Sequence, residues 1–225
     1  MKRATIVLSV LLFSCLLPAQ DIITVAESSN YTKTSLYDDV MTFLYQVQKK
    51  SGLVKILPLT TSSEGRLVPL VVLSKEKVSR PADLQMAGKP AVLVMANIHA
   101  GEVEGKEASL MLIRDIAFGK FAGLLDTQVL LFIPIFNADG NDKLRHHRRD
   151  LGPELAGVRF NGQNLDLNRD YTKLESPEVR ALVSLLSAWD PVLLVDMHTT
   201  NGSYHREPVT YSTLVNPNSD KKLRD

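Results

Sequence analysis

Cysteine is almost absent from this sequence. Of 225 residues only one is cysteine, Cys15, within the first twenty positions. Everything downstream must therefore hold together by core packing without a disulfide, and thiolate metal sites and cysteine nucleophiles are excluded there. An excess of charge of one sign is also missing. The formal net charge is +1, which gives no electrostatic ground for binding nucleic acid or an anionic membrane surface. No apolar run reaches the ~20 residues that a membrane span needs, and internal repeats and low-complexity tracts are lacking. What is present is an ordinary globular composition, 44% hydrophobic and 23% charged, in a chain long enough to bury one substantial core.

The first twenty residues stand apart. Lys2 and Arg3 precede the apolar run from Ala4 to Leu17, and Leu17-Pro18-Ala19-Gln20 offers a small residue for cleavage. This reads as a secretory signal peptide over residues 1–20, hence a secreted or periplasmic protein with no transmembrane segment in its mature chain. Leu12-Phe13-Ser14-Cys15 is a loose lipobox, poorly matched at Phe13, so lipid anchoring through Cys15 is the weaker alternative. Asn30-Tyr31-Thr32 and Asn201-Gly202-Ser203 fit the N-glycosylation pattern, which chance supplies often.

A lead-in segment, 21–66, carries an amphipathic helix predicted over 34–50: Leu36, Val40, Phe43, Leu44 and Val47 share one stripe, and Gly52 stands at the C-cap position. From 67 to 225 strands and helices alternate. Strands are predicted at 67–73, 90–97, 128–136 and 191–197, with helices at 104–118 and from Ser176-Pro177-Glu178 onward. A long polar stretch, 137–176, separates the third strand from the second of these helices. Continuous apolar strands alternating with helices imply an α/β fold, a mostly parallel or mixed twisted sheet with helices on both faces. Ligands on such sheets gather at the carboxyl ends of strands, where His99, Asn137 and His198 fall.

His99 and Glu102 are three residues apart where an apolar strand turns polar, and His198 holds the matching position after the last strand. Two imidazoles and a carboxylate make three protein ligands for one zinc ion per chain, leaving a fourth position open for water. Asp166 in Asn164-Leu165-Asp166-Leu167-Asn168-Arg169-Asp170 is a candidate to accept the other ring N–H of His99. Asn168 and Arg169 pair an amide with a guanidinium fork, a combination suited to the terminal carboxylate of a peptide. The basic run Arg145-His146-His147-Arg148-Arg149 reads as a solvated face from which one arginine could hold a developing oxyanion. His205 has no assigned role.

In this order, the residues from His99 to His198, through Asn137-Ala138-Asp139-Gly140 and Asp166-Leu167-Asn168-Arg169, resemble the M14 zinc carboxypeptidases. Their texture is closest to the exported bacterial members. The resemblance implies His99, Glu102 and His198 as zinc ligands, Asp166 behind His99, and Asn168 and Arg169 on the substrate's terminal carboxylate. It places the carbonyl-polarising arginine in the 145–149 run, with Arg148 favoured. Substrates would be peptide or protein C-termini, cell-wall stem peptides among them, and nucleic acid would play no part.

There are two departures. Ala138 stands where the family usually has proline. The family's catalytic glutamate and its substrate-capping tyrosine lie downstream of the last ligand, beyond Asp225, so the chain reads as an N-terminal fragment lacking its general base, truncated before the C-terminal part of the fold. Glu104, Glu107 and Glu175 are nearby carboxylates, but nothing sets one opposite the zinc. Two alternatives stay open: an N-acyl amino acid deacylase resembling the aspartoacylase branch, and a non-catalytic zinc- and peptide-binding module. A sheet cut after its fourth strand is also expected to expose a sticky edge.

Overall fold

The computed structural model describes residues 22–147, 152–199 and 222. The chain begins with a single helical turn, α1 (Val25–Ser28), closed by a capping box between Thr24 and Glu27. Helix α2 (Tyr37–Lys50) buries Val40, Met41, Phe43, Leu44 and Val47; each large apolar side chain so buried is worth about 1.5–3 kcal/mol. This is the predicted helix, shortened by three residues at its start. Thr34 and Ser35 instead donate hydrogen bonds to the Glu107 carboxylate, at 2.7 to 3.0 Å. Its end also differs from expectation, since an extended Ser51 caps it (φ −131°) and Gly52 takes no left-handed conformation.

Strand β1 (Val54–Thr61) follows, then β2 (Leu67–Leu73), α3 (Pro81–Ala87), β3 (Ala91–Ala96), α4 (Val103–Ala117) and β4 (Val129–Ile133). The next elements are short: α5 (Ala138–Asn141), the hairpin strands β5 (Arg145–His146) and β6 (Leu155–Ala156), and a 3₁₀ turn at Leu167–Arg169. Helix α6 (Pro177–Trp189), N-capped by Ser176, and strand β7 (Leu193–Met197) complete the described chain. Strand β1 was not expected, because Pro58 and a bulge between Pro58 and Thr60 break its alternation. Both are tolerated because β1 is an edge strand. The long polar stretch is likewise less irregular than it reads, since it folds into α5, the hairpin and the 3₁₀ turn.

Among the described residues the main sheet has five strands in the order β1-β2-β4-β3-β7. The β1–β2 and β2–β4 pairs are antiparallel, and β4–β3 and β3–β7 are parallel. The sheet is thus mixed, with its parallel half carrying the candidate site. All five residues of β4 are buried, which requires cover on both faces; α2 packs with α4, and α3 with α6. At the far edge Val192 and the β7 residues Leu193, Leu194 and Val195 are exposed.

Candidate metal centre

The site forms at the point where the sheet's connections diverge. From β3 the chain runs through α4 to β4 on one side, and later returns through α6 to β7 on the other. Neighbouring loops separate there and leave a crevice at the carboxyl ends of the strands. Ala96 lies opposite Met197 in parallel register, so the residues following each strand emerge side by side. The rings of His99 and His198 consequently meet edge to face, with centroids 5.0 Å apart.

The turn after β3 aims both of its polar residues at one point. Asn97 takes φ 65°, a left-handed conformation that Asn accepts more readily than most residues. Its Nδ2 donates to the carbonyl oxygens of Ala100 at 3.2 Å and Glu102 at 3.5 Å. Glu102 becomes the N-cap residue of α4, where the helix dipole favours a negative charge. Gly101 is needed for close packing: a Cβ there would lie 2.3 Å from His147 Cε1 and 2.9 Å from the Gly157 carbonyl.

One ligand atom from each of His99, Glu102 and His198 lies within 4.8 Å of the others. Donors on one tetrahedral zinc stand roughly 3.3 Å apart for bonds of about 2.0–2.1 Å, so small side-chain rotations close the set. The pairing of His99 also calls for a cation. Its Nε2 faces Asp166 Oδ1 at 3.2 Å, and its Nδ1 faces Glu102 Oε1 at 2.8 Å. A neutral imidazole that donates from Nε2 turns a lone pair toward the carboxylate from Nδ1. Two acceptors at that separation require a proton or a metal between them. The residues fit a zinc ion.

The triplet's own hydrogen bonds and charges shift its groups. Burial pushes the Glu102 carboxyl up, but the His99 imidazole, the Thr199 N–H at 2.9 Å and the nearby His198 outweigh it and hold it below its ordinary value. Burial also raises Asp166, and its bonds to Arg159 and His99 bring it down. His198 is raised, chiefly by its hydrogen bond to Asp196, whose Oδ1 lies 3.0 Å from Nδ1. His99 and Glu102 are each only 2% exposed, whereas His198 is open to solvent.

The other predicted residues divide clearly. Asp166 lies behind His99 and accepts from the Asn168 backbone N–H at 3.0 Å, starting the 3₁₀ turn. Asn168 Nδ2 is 3.1 Å from His198 Nε2, and the exposed Arg169 folds back on the Asn168 carbonyl at 2.9 Å. Asn137 is not at the metal position. It is fully buried behind it and donates from Nδ2 to the Arg159 carbonyl at 3.1 Å. Arg145 lies on β5, exposed and outside the triplet. Arg148, Arg149 and His205 lie outside the described residues.

Sequence reasoning missed Arg159. Its Nε donates to Asp166 Oδ2 at 2.8 Å, and its Nη1 is 3.4 Å from His99 Nδ1. An isolated arginine carries less signal in a sequence than the dense charge of 145–149. The β5–β6 pairing explains the placement: Arg145 and His146 are exposed on β5, and the chain comes back to the metal turn at Val158 and Arg159. The available signal was a single cation seven residues before Asp166.

Comparison with known proteins adds to this geometry. The family model for zinc carboxypeptidases, peptidase M14, matches residues 40–225. Mouse carboxypeptidase D is 30% identical over 176 residues, covering 65% of this chain and 13% of that protein. Mouse carboxypeptidase Z is 32% identical over 136 residues, covering 58% and 20%. Two solved structures share the fold, each with a TM-score of 0.59. A metallo-carboxypeptidase from Burkholderia cenocepacia is 22% identical, with 77% of this chain and 43% of that one covered. Carboxypeptidase A from Helicoverpa armigera is 20% identical, with 76% and 47% covered. The chain thus spans a fifth or less of the curated relatives' length and under half of these structures. With the matched region enclosing every residue of the metal centre, the chain belongs to the zinc carboxypeptidase family.

Proposed function

We propose that this protein is a secreted or periplasmic zinc carboxypeptidase that releases C-terminal residues from peptides, with His99, Glu102 and His198 holding the ion. The observation that carries this reading is the convergence of the triplet, Asp166, Asn168 and Arg159 on one crevice at the sheet's divergence point. Zinc, when bound there, supplies Lewis-acid activation of water and of the scissile carbonyl.

The chain's own residues supply orientation and charge. Asp166 fixes the His99 ring by accepting from Nε2, and the Thr199 N–H fixes the Glu102 carboxylate. Asn168 and Arg169 hold the terminal carboxylate, which sets the direction of substrate entry. Arg159, tethered through Nε to Asp166, keeps its outer nitrogens for the oxyanion that develops at the carbonyl. Arg159 takes this role in place of Arg148. Each carboxylate beside the triplet among the described residues is already engaged: Glu102, Asp166, Asp196 with His198, and Glu104 with Thr199. The general base therefore comes from outside the described residues.

The test is a panel of peptides, cell-wall stem peptides and N-acyl amino acids given to the full-length, zinc-loaded protein. Release of a C-terminal residue from free peptides, lost when the terminus is amidated, supports the reading. Hydrolysis confined to N-acyl amino acids identifies a deacylase instead. Tight binding of free C-termini without turnover identifies a binding module.

A further inference from the structure

Beside the metal centre lies a cavity of about 600 Å³. It shares His99 and Arg159 with the centre, but Glu102, Asn168, Arg169 and His198 do not line it. With the terminal carboxylate on Asn168 and Arg169 and the scissile carbonyl at the metal, as proposed above, this adjoining space is where the substrate's preceding residues would lie. The wall carries Lys143, Arg145, His146, His147 and Arg159, and no carboxylate side chain lines it among the described residues.

These cations differ in how far they are already committed. The Lys143 ammonium is bound by Glu64. His146 lies 3.4 Å from Glu154, and His147 Nε2 meets the Gly157 carbonyl at 3.1 Å. Arg159 gives its Nε to Asp166. Arg145 is different: its backbone is fixed by pairing with Ala156, while its exposed guanidinium has no ion-pair or hydrogen-bond partner among the described residues. The wall is also rigid where it meets the metal turn. A Cβ at Gly157 would stand 2.6 Å from the Gly140 carbonyl and 2.8 Å from Ala100 Cβ, so the base of the hairpin is packed hard against the loop bearing His99.

We propose that this cavity receives acidic side chains of the substrate, so that the enzyme favours peptides with Glu or Asp immediately upstream of the terminal residue, and that Arg145 is the main determinant. A guanidinium with no partner among the described residues offers a carboxylate two parallel hydrogen bonds. The carboxylates nearest the wall, Glu64, Glu154 and Asp166, are each paired with one of its cations, which leaves Arg145 as the cation able to take an incoming acidic side chain. The inference rests on the carboxypeptidase reading and adds a substrate class to it.

The test uses the full-length, zinc-loaded protein and three peptides that differ only at the residue before the last, Glu, Gln or Lys. The kcat/KM for the Glu peptide should exceed that for the Gln peptide roughly five- to tenfold, the size of a solvent-accessible charge-assisted hydrogen bond. The Lys peptide should be slowest, and the gap should narrow as salt rises. Arg145→Glu should put the Lys peptide above the Glu peptide; since Arg145 is exposed, folding should be unaffected. Equal rates for the three peptides overturn the proposal while leaving the carboxypeptidase reading intact, as does a wild-type preference that R145E leaves unchanged. Should no peptide be cleaved, the carboxypeptidase reading falls. Binding of the same peptides, followed by fluorescence anisotropy, then decides the pocket, and equal affinities overturn it.

Discussion

His99 Nδ1 faces Glu102 Oε1 across 2.8 Å, while the opposite ring nitrogen faces Asp166. With Nε2 donating to Asp166, Nδ1 is the nitrogen that would face a metal beside Glu102. This pairing also makes Asp166 more than a surface carboxylate. Replacing it with Asn keeps the shape but offers the ring a weaker acceptor. Asp166→Asn should lower zinc affinity about 10- to 100-fold, as loss of such a supporting partner does elsewhere, with little change in melting temperature. Competition against a metal-binding dye measures this. Unchanged affinity would show that His99 is oriented by something else.

Arg159 and Arg148 can be told apart by kinetics. Arg159→Lys keeps the charge but loses the fork that joins Asp166 to the reacting carbonyl. It should reduce kcat by roughly 10²–10³-fold, the typical loss for one oxyanion donor, while changing KM much less. An Arg148→Lys variant should stay near wild type. The reverse pattern would return the role to the basic run.

Gly101 tests the packing of the metal turn against the hairpin. Gly101→Ala should destabilise by about 1–3 kcal/mol through overpacking, because the added Cβ meets His147 and the Gly157 carbonyl. Pairing it with His147→Ala should recover part of that loss in urea melts. Strict additivity of the two changes would show that the clash is elsewhere.

Much of this site was legible in the sequence, for identifiable reasons. His99 and His198 each follow an apolar strand, and apolar strands with helical crossovers imply a sheet whose carboxyl ends carry the ligands. Asp166, Asn168 and Arg169 are packed into one short stretch, so finding one finds the others. What sequence hid depends on turns. Strand β1 is disguised by Pro58, which only an edge position tolerates. Arg159 is disguised by its isolation: the pairing of Arg145 and His146 with Ala156 and Leu155 turns the chain back, so that a lone later arginine rather than the denser charges meets His99. Lys106, fully buried, was invisible because helical periodicity gives no warning that a charged residue will point inward.

Lys106 gives a pH prediction. Burial pulls its ammonium down to about 8 from 10.5, although Glu107, Asp142 and Asp39 push the other way. Its Nζ donates to Asn141 Oδ1 at 2.6 Å and to the Ser35 carbonyl. Between those two values the unfolded chain still holds the proton that the folded chain has released. Stability contributed at this position therefore rises with pH across that window, by on the order of 3 kcal/mol at most. Urea melts of wild type and Lys106→Met from pH 7.5 to 10.5 measure it. The difference between them should move in favour of the wild type as pH rises, and a constant difference would contradict it.

The exposed edge at β7 bears on handling. Val192, at 71% exposure, and Leu193, at 52%, lie at the edge of the sheet among the described residues. This apolar edge should favour self-association, and Leu193→Lys should reduce it in light scattering. A monodisperse wild-type product would contradict it.

The most direct measurement is native mass spectrometry of the purified protein with zinc, beside His99→Ala, Glu102→Gln and His198→Ala. The account predicts a single zinc ion on the wild type, and loss of that ion in all three variants while each still melts cooperatively. Zinc retained by any one variant, or absent from the wild type at saturating metal, would contradict the assignment of this triplet as the metal centre.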